Sequence, residues 1–376
     1  MRKNKFLSGK KISAGKLIKG LKVSELVENY FQAYNSARLN EACRLLVGKM
    51  LNRKNDATIG ITLAGAITPA GMSGQIVSMM EKGFIDFIIA TGANLYHDTH
   101  FALNFPLHKG TYQVDDTTLY NHGVVRIYDV FLTTDTLLNT DKFTLKILLD
   151  KKAPRGIVSS SEFHNYIGKC LLRDAPNPEV SILAQAAKYN IPVYTSSPGD
   201  STYGMDLAAF SKDLKRKGSI DLHINPNLDV LETTAIVMGA KQNGAILLGG
   251  GSPKNFYMQT QPFLWECLGI EKGGHDYFIQ ITMDSPQWGG LSGATPQEAV
   301  SWGKINPDEL KNTVVVYSDI TLAVPILFSY ALEKAAARKP KNLYLKREKL
   351  MNDLTKEAQK KPITWTADDL YKKHKH

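Results

Sequence analysis

Six short apolar runs rich in β-branched residues punctuate the chain, at 58–63 (TIGITL), 84–90 (FIDFIIA), 191–194 (IPVY), 244–248 (GAILL), 276–282 (DYFIQIT) and 313–317 (TVVVY). Between them lie longer segments with helical periodicity, among them 178–189, 227–241 and 320–337. Strand alternating with helix predicts an α/β domain whose mostly parallel sheet is covered by helices on both faces. Such a sheet buries both sides of every strand, which is why the runs are continuously apolar rather than alternating. Ahead of the first run, Val23 to Leu51 carries apolar residues at helical spacing and reads as one amphipathic helix. Residues 95–150 mix short signals and are expected to hold an insertion, whereas the segment from Arg338 onward reads as a peripheral, charged surface helix with loops.

At 376 residues the chain has room for one large domain with appendages. Its net charge of +10 invites nucleic acid or an acidic surface as partner, but the charge is unevenly placed. Residues 1–22 carry eight basic and no acidic side chains, and 338–376 carry twelve basic against five acidic, which leaves 23–337 at −5. The expected organisation is therefore a basic leader (1–22), a mildly acidic body (23–337) and a basic extension (338–376), and the body suits a cationic ligand better than an anionic one. Cys43, Cys170 and Cys267 are odd in number and show no paired metal spacing, which fits a reducing compartment. No apolar run has the length of a secretion signal core or a membrane span. The expectation is a cytoplasmic protein with no membrane partner.

In open α/β sheets the ligand lies beyond the carboxyl ends of the strands. Here those positions read LAGAITPAG (63–71), ATGANLYHD (90–98), TSSPGDSTYG (195–204), LGGGSPKNF (248–256), TMDSPQWGGLSG (282–293) and SDIT (318–321). Glycine after a strand is by itself only a turn. Five such segments at one sheet edge let the backbone approach a ligand of dinucleotide size and present helix N–H groups to phosphate. Neither a G-x-G-x-x-G nor a phosphate-loop lysine motif occurs.

The strongest local pattern is GATPQEAVSWGKI, 293–305. Thr295, Pro296 and Glu298 form a helix start, and on that reading alone Lys304 is an ordinary lysine at the helix end. Trp302 and Gly303 before it, and a Gly-rich loop containing Trp288, add aromatic walls. A lysine desolvated by aromatic neighbours holds its proton less tightly, and its free amine can attack an imine or carbonyl carbon.

EAVSWGKI, followed a dozen residues later by SDITLAVPIL and preceded by LLGGG, closely resembles the deoxyhypusine synthase family, with a likeness from about Val23 to Ala337. The resemblance implies a Rossmann-like, doubly wound NAD enzyme, active as a homotetramer with sites at a dimer interface. In that family a spermidine-like polyamine is oxidised to an imine, and an active-site lysine takes the aminobutyl unit as a Schiff base. An acceptor amine then receives it: a lysine of a translation initiation factor, or putrescine in relatives that make homospermidine. Carried over, the nucleophile falls on Lys304, with Trp302 walling the methylene chain and Glu298 binding an ammonium. The NAD segments match Gly65, Ala66, Thr91, Gly92, Asp200, Gly249, Gly250, Gly251, Ser292 and Asp319. Asp200 has the chemistry to accept both ribose hydroxyls, although an Asp in PGDS is also an ordinary turn residue.

The chain departs from the family pattern in several anchors. Asn255 replaces the usual histidine, Trp288 and Leu291 replace two aspartates while Asp284 stands earlier, and Met205 takes the place of an amine-binding aspartate, with Asp206 one position off. Tyr96 and His97 replace two glutamates. The candidate substrate-binding set is therefore Trp302, Glu298, Asn255, Asp284, Trp288 and Asp206, and the altered anchors favour homospermidine synthesis as the alternative. A non-catalytic NAD-binding regulatory relative is the other alternative, against which the intact Lys304, Trp302 and Glu298 stand. His97-x-x-His100 beside Asp98 offers two ring nitrogens at helical spacing but no evident third ligand, so no metal site is assigned. The serines of SSSE (159–162) read as a helix cap rather than a hydrolase nucleophile.

Overall fold

The computed structural model describes residues 5–211 and 220–361. The first four residues and the last fifteen, which belong to the two basic ends, lie outside the described residues. Six strands form the main sheet: β1 (Ala57–Leu63), β2 (Phe87–Ala90), β3 (Val193–Thr195), β4 (Gln242–Leu248), β5 (Tyr277–Thr282) and β6 (Thr313–Tyr317). Their spatial order is β3-β2-β1-β4-β5-β6, and all five neighbouring pairs run parallel. This is the order of a doubly wound dinucleotide-binding sheet, which reverses direction between β1 and β4. There the pairing is longest, seven residues from Ala57 opposite Gln242 to Leu63 opposite Leu248.

Alternate side chains along each strand enter two separate cores. Ile59, Ile61, Ile246, Leu248, Ile279 and Ile281 join one cluster, while Phe87, Ile89, Ala245, Leu247 and Phe278 join the other. The first is covered by α1 (Val23–Tyr30), α2 (Tyr34–Leu45), α3 (Ser73–Glu81), α4 (Gly92–Ala102), α5 (Ser160–Asp174) and α6 (Ile182–Tyr189), with α7 (Thr202–Ser211) beside them. The second is covered by α8 (Pro226–Gly239) and α9 (Gly251–Met258). The short α10 (Pro296–Ser301) follows β5, α11 (Ile320–Lys334) returns to the first face, and α12 (Arg347–Gln359) closes the second.

All six expected strands are present. The expected single helix over Val23–Leu51 is instead two helices that meet at Phe31–Ala33, after which a wider-wound turn, Leu46–Met50, extends the second. No glycine or proline marks that break. Tertiary hydrogen bonds stabilise it: the Asn40 amide donates to the carbonyls of Val27 (2.6 Å) and Phe31 (3.2 Å). The mixed region between α4 and α5 holds an antiparallel three-stranded sheet (His108–Lys109, Val130–Thr133, Val124–Ile127) and a helix, Thr134–Leu148. Ser159 does cap α5, accepting from the Glu162 N–H while Glu162 accepts from that of Ser159.

The segment after Arg338 is less peripheral than its charge implied. Arg338 is buried against Asp86 at 2.7 Å and also donates to the carbonyls of Met50, Ala57 and Gly83. Farther on, Leu343 and Leu354 are buried in the second core. A charge-rich helix needs only one apolar stripe to dock, and composition averages that stripe away. Among the described residues no helix is long and apolar enough to cross a membrane.

Candidate active site

Four post-strand loops converge where the sheet reverses direction. Ala64 and Gly65 after β1, Thr91 and Gly92 after β2, Ser196, Ser197 and Asp200 after β3, and Gly250 to Pro253 after β4 line a cradle of about 130 Å³. Gly65 (φ 59°) and Gly251 (φ 56°) lie in the left-handed region that side chains disfavour, with no protein atom within 4 Å of where a Cβ would stand. Their bare backbone leaves the adjoining space open. α4 and α9 both begin at this cradle, where the helix dipole favours anions, while the Gly251 N–H is spent on Ser292 Oγ and the Asn94 N–H on Thr91 Oγ1. Asp200 is exposed at the rim, with its own N–H donating to the Ser197 carbonyl. These features suit one phosphate and ribose of a nucleotide: backbone and helix starts for phosphate, a carboxylate for ribose.

Beyond it, on the same helix α9, lies a second cleft of about 340 Å³. It is lined by Lys254, Asn255 and Met258 of α9, Phe278 of β5, Leu291 and Ala294 of the following loop, and Glu298, Ala299, Trp302 and Lys304 around α10. Thr295 caps α10 by accepting from the Glu298 N–H at 3.1 Å. The helix ends at Ser301, and Gly303 turns the chain with φ 64°. A Cβ on Gly303 would stand 2.7 Å from the indole nitrogen of Trp265, so both backbone sign and space require glycine. That turn brings Lys304 back: its N–H donates to Ala299 and its carbonyl accepts from His275, each at 2.9 Å. The Lys304 amine donates to Asn255 Oδ1 at 2.9 Å and lies 5.6 Å from the centre of the Trp302 ring. Burial pulls its pKa below the ordinary lysine value, with the Glu298 carboxylate opposing.

Lys254 is the functional candidate that motif reading missed. It is only 5% exposed, and its ammonium donates to Gln280 Oε1 (3.0 Å) and the carbonyls of Ser292 (3.2 Å) and Ala294 (2.7 Å). Burial first, then the nearby Lys304 charge, lower its pKa to about 8, against Glu298 and Asp284. Its signal was present in GGGSPKNF, where a lysine three residues past the glycine run projects from the first turn of the next helix.

The candidates thus divide. Lys304, Trp302, Glu298 and Asn255 share the cleft, and Gly65, Thr91, Gly92, Asp200, Gly250 and Gly251 share the cradle. Gly249 stands next to the cradle, and Ser292 accepts from the Gly251 N–H at 2.9 Å, joining the two. Ala66 follows the cradle residue Gly65. Asp284 sits near Lys254, and Trp288 is 71% exposed on a turn outside the cleft lining. Asp206 is buried on α7, near Tyr96 and Tyr203 rather than in the cleft. Asp319 caps α11 by accepting from the N–H and hydroxyl of Thr321. Asp98 accepts from Ser181 Oγ and the N–H groups of Ile182 and Leu183, so it caps α6. His97 and His100, held neutral by burial with pKa values of about 4 and 3, stack edge to face at 5.1 Å.

The family described as deoxyhypusine synthase matches residues 25–331. The "Deoxyhypusine synthase-like protein" of Nostoc punctiforme is 46% identical over 357 residues, covering 93% of this chain and 90% of that one. The "Probable deoxyhypusine synthase 2" of Methanosarcina acetivorans is 38% identical over 320 residues, covering 84% and 88%. A crystal structure from Entamoeba histolytica described as a deoxyhypusine synthase shares the fold, with a TM-score of 0.58 at 16% identity over 87% of this chain and 99% of that one. The sheet order, the lysine turn and the extent of these matches lead to one assignment: the chain belongs to the deoxyhypusine synthase family, a family of transferases.

Proposed function

We propose that the protein is an NAD-dependent aminobutyl transferase that works through Lys304. The observation that carries this reading is the placement of cradle and cleft on adjacent residues of the first turn of one helix, α9. Ser252 and Pro253 line the cradle, and Lys254 and Asn255 line the cleft beside the partly desolvated Lys304 amine. NAD, when bound in the cradle, accepts the hydride whose removal makes a C–N bond of the amine an imine. Glu298 holds the far ammonium of a polyamine, and Trp302 covers the methylenes between. Asn255 Oδ1 aims the lysine amine. Once neutral, that amine adds to the imine carbon, the first amine leaves with a proton, and the four-carbon unit stays on Lys304 as a Schiff base. An acceptor amine then displaces Lys304, which leaves as the neutral amine, and the four-carbon unit passes to the acceptor as an imine, whose C=N bond the hydride stored on the cofactor would reduce.

A second acceptor reading has its own support. The described cleft lining contains a single carboxylate, Glu298, and Asn255, Trp288 and Leu291 stand where further anchors are expected. One carboxylate suits a diamine, so putrescine as acceptor, giving homospermidine, is the alternative to a protein lysine. Incubation with NAD and spermidine or putrescine, following NADH and amine products, tests both readings. Homospermidine formation selects the diamine acceptor. Transfer only to an initiation-factor lysine removes it, and NAD binding without turnover points to a regulatory relative.

A further inference from the structure

Gln280 occupies the face of β5 that otherwise contributes Phe278 to an apolar core, and it is 1% exposed. A buried amide there is costly unless every polar atom is paired. Its Nε2 donates to the carbonyls of Gly249 (2.8 Å) and Ser292 (2.7 Å), and its Oε1 accepts from Lys254. Lys254 in turn spends its three N–H groups on Gln280, Ser292 and Ala294. Gly249 belongs to the glycine turn at the cradle, whereas Leu291 and Ala294 line the cleft. Ser292 also seats directly on that turn: a Cβ on Gly250 would stand 2.3 Å from Ser292 Cα.

We infer that Gln280 and Lys254 are positioning residues that clasp the glycine turn to the 290–294 loop, so that cradle and cleft are ordered together and each ligand strengthens the site for the other. The inference rests on reading these two cavities as the cofactor and amine sites. Its physical basis is that a fully paired buried network holds or fails as a unit. Neither strand nor loop contains a second buried side chain bridging Gly249 to Ser292 among the hydrogen bonds of the described residues.

The test uses the full chain with Gln280→Leu, Lys254→Met, the double variant and Gly250→Ala, which forces the loop off the turn. NAD affinity is read by titration, KM and kcat for the amine separately, and hydrogen exchange of segments 249–251 and 284–294 without ligand. The expected result is that each single variant weakens NAD binding and raises the amine KM together, about fivefold or more, with a smaller change in kcat. The double variant is no worse than the more severe single one, and both segments exchange faster in every variant. Effects confined to one ligand, or multiplying in the double variant, overturn the clasp. If the wild type binds neither NAD nor amine, the site reading fails, and the exchange data still judge the clasp: loosening of only one of the two segments overturns it. Where Lys254→Met does not fold, Gln280→Leu and Gly250→Ala carry the same comparison.

Discussion

At the amino ends of the strands Arg338 is buried against Asp86, whereas at the carboxyl ends Lys254 is buried with its three hydrogen bonds directed at neutral oxygens. Both cations tie distant segments together. The first pairs a guanidinium with a carboxylate, and its carbonyl partners are Met50 at the end of the wider-wound turn, Ala57 at the start of β1 and Gly83 shortly before β2. The second is an amine whose pKa burial lowers to about 8, beside another amine of lowered pKa. A guanidinium with a carboxylate suits a permanent joint. An ammonium among carbonyls suits a place where charge must stay low so that a neighbouring lysine can be a nucleophile.

The largest effect expected is at the carboxyl ends. Lys304→Ala should lower transfer by about a thousandfold or more while NAD affinity stays close to wild type; retained turnover would remove the central assignment. At the other end, Arg338→Met leaves the Asp86 carboxylate buried without its partner and should cost about 3–5 kcal/mol in urea denaturation, with activity of the folded fraction unchanged. If Lys254→Met proves equally destabilising, the two cations do the same job and the contrast fails.

Titration sharpens it further. Lys254 is depressed from the ordinary lysine value to about 8, so between about pH 8 and 10.5 the unfolded chain binds more protons than the folded one. The stability of wild type relative to Lys254→Met should therefore be flat below pH 8 and rise through that window. For Arg338→Met the pH dependence moves to Asp86: without the guanidinium its buried carboxyl rises further, so the advantage of wild type grows as pH rises through that carboxyl's titration and shrinks in acid. Glu298→Gln should raise the amine KM about tenfold and lower the Lys304 pKa further, moving the acidic limb of the rate profile to lower pH. The smallest effect is at the helix start: Thr295→Ala should cost about 1 kcal/mol and show as faster exchange in α10.

What could be read in advance follows from what is local. TIGITL, GAILL and TVVVY announce buried parallel strands because they are short, continuously apolar and, in TIGITL and TVVVY, rich in β-branched residues, with helical segments between them. The cap Thr295 and the pair Trp302–Lys304 sit within one motif, so their grouping was legible. Asn255 meets Lys304 across 49 positions and Gln280 meets Lys254 across 26, and no spacing rule reaches that far. Asp206, one residue off its expected place, turned to a different neighbourhood because α7 faces Tyr96 and Tyr203. In ENYFQAYNS the helix break had no glycine or proline to reveal it.

By itself the sequence determined the strand and helix alternation, the glycines after the strands, the basic ends flanking a body of −5 and a lysine next to tryptophan. These depend on neighbours along the chain or on composition. Only the tertiary structure decided that β1 and β4 lie side by side with their loops forming one cradle, that Arg338 reaches Asp86, and that Lys254 rather than a carboxylate sits beneath the cleft. Each depends on which strands pair and on which side chains lose water together, and those are properties of the packed sheet.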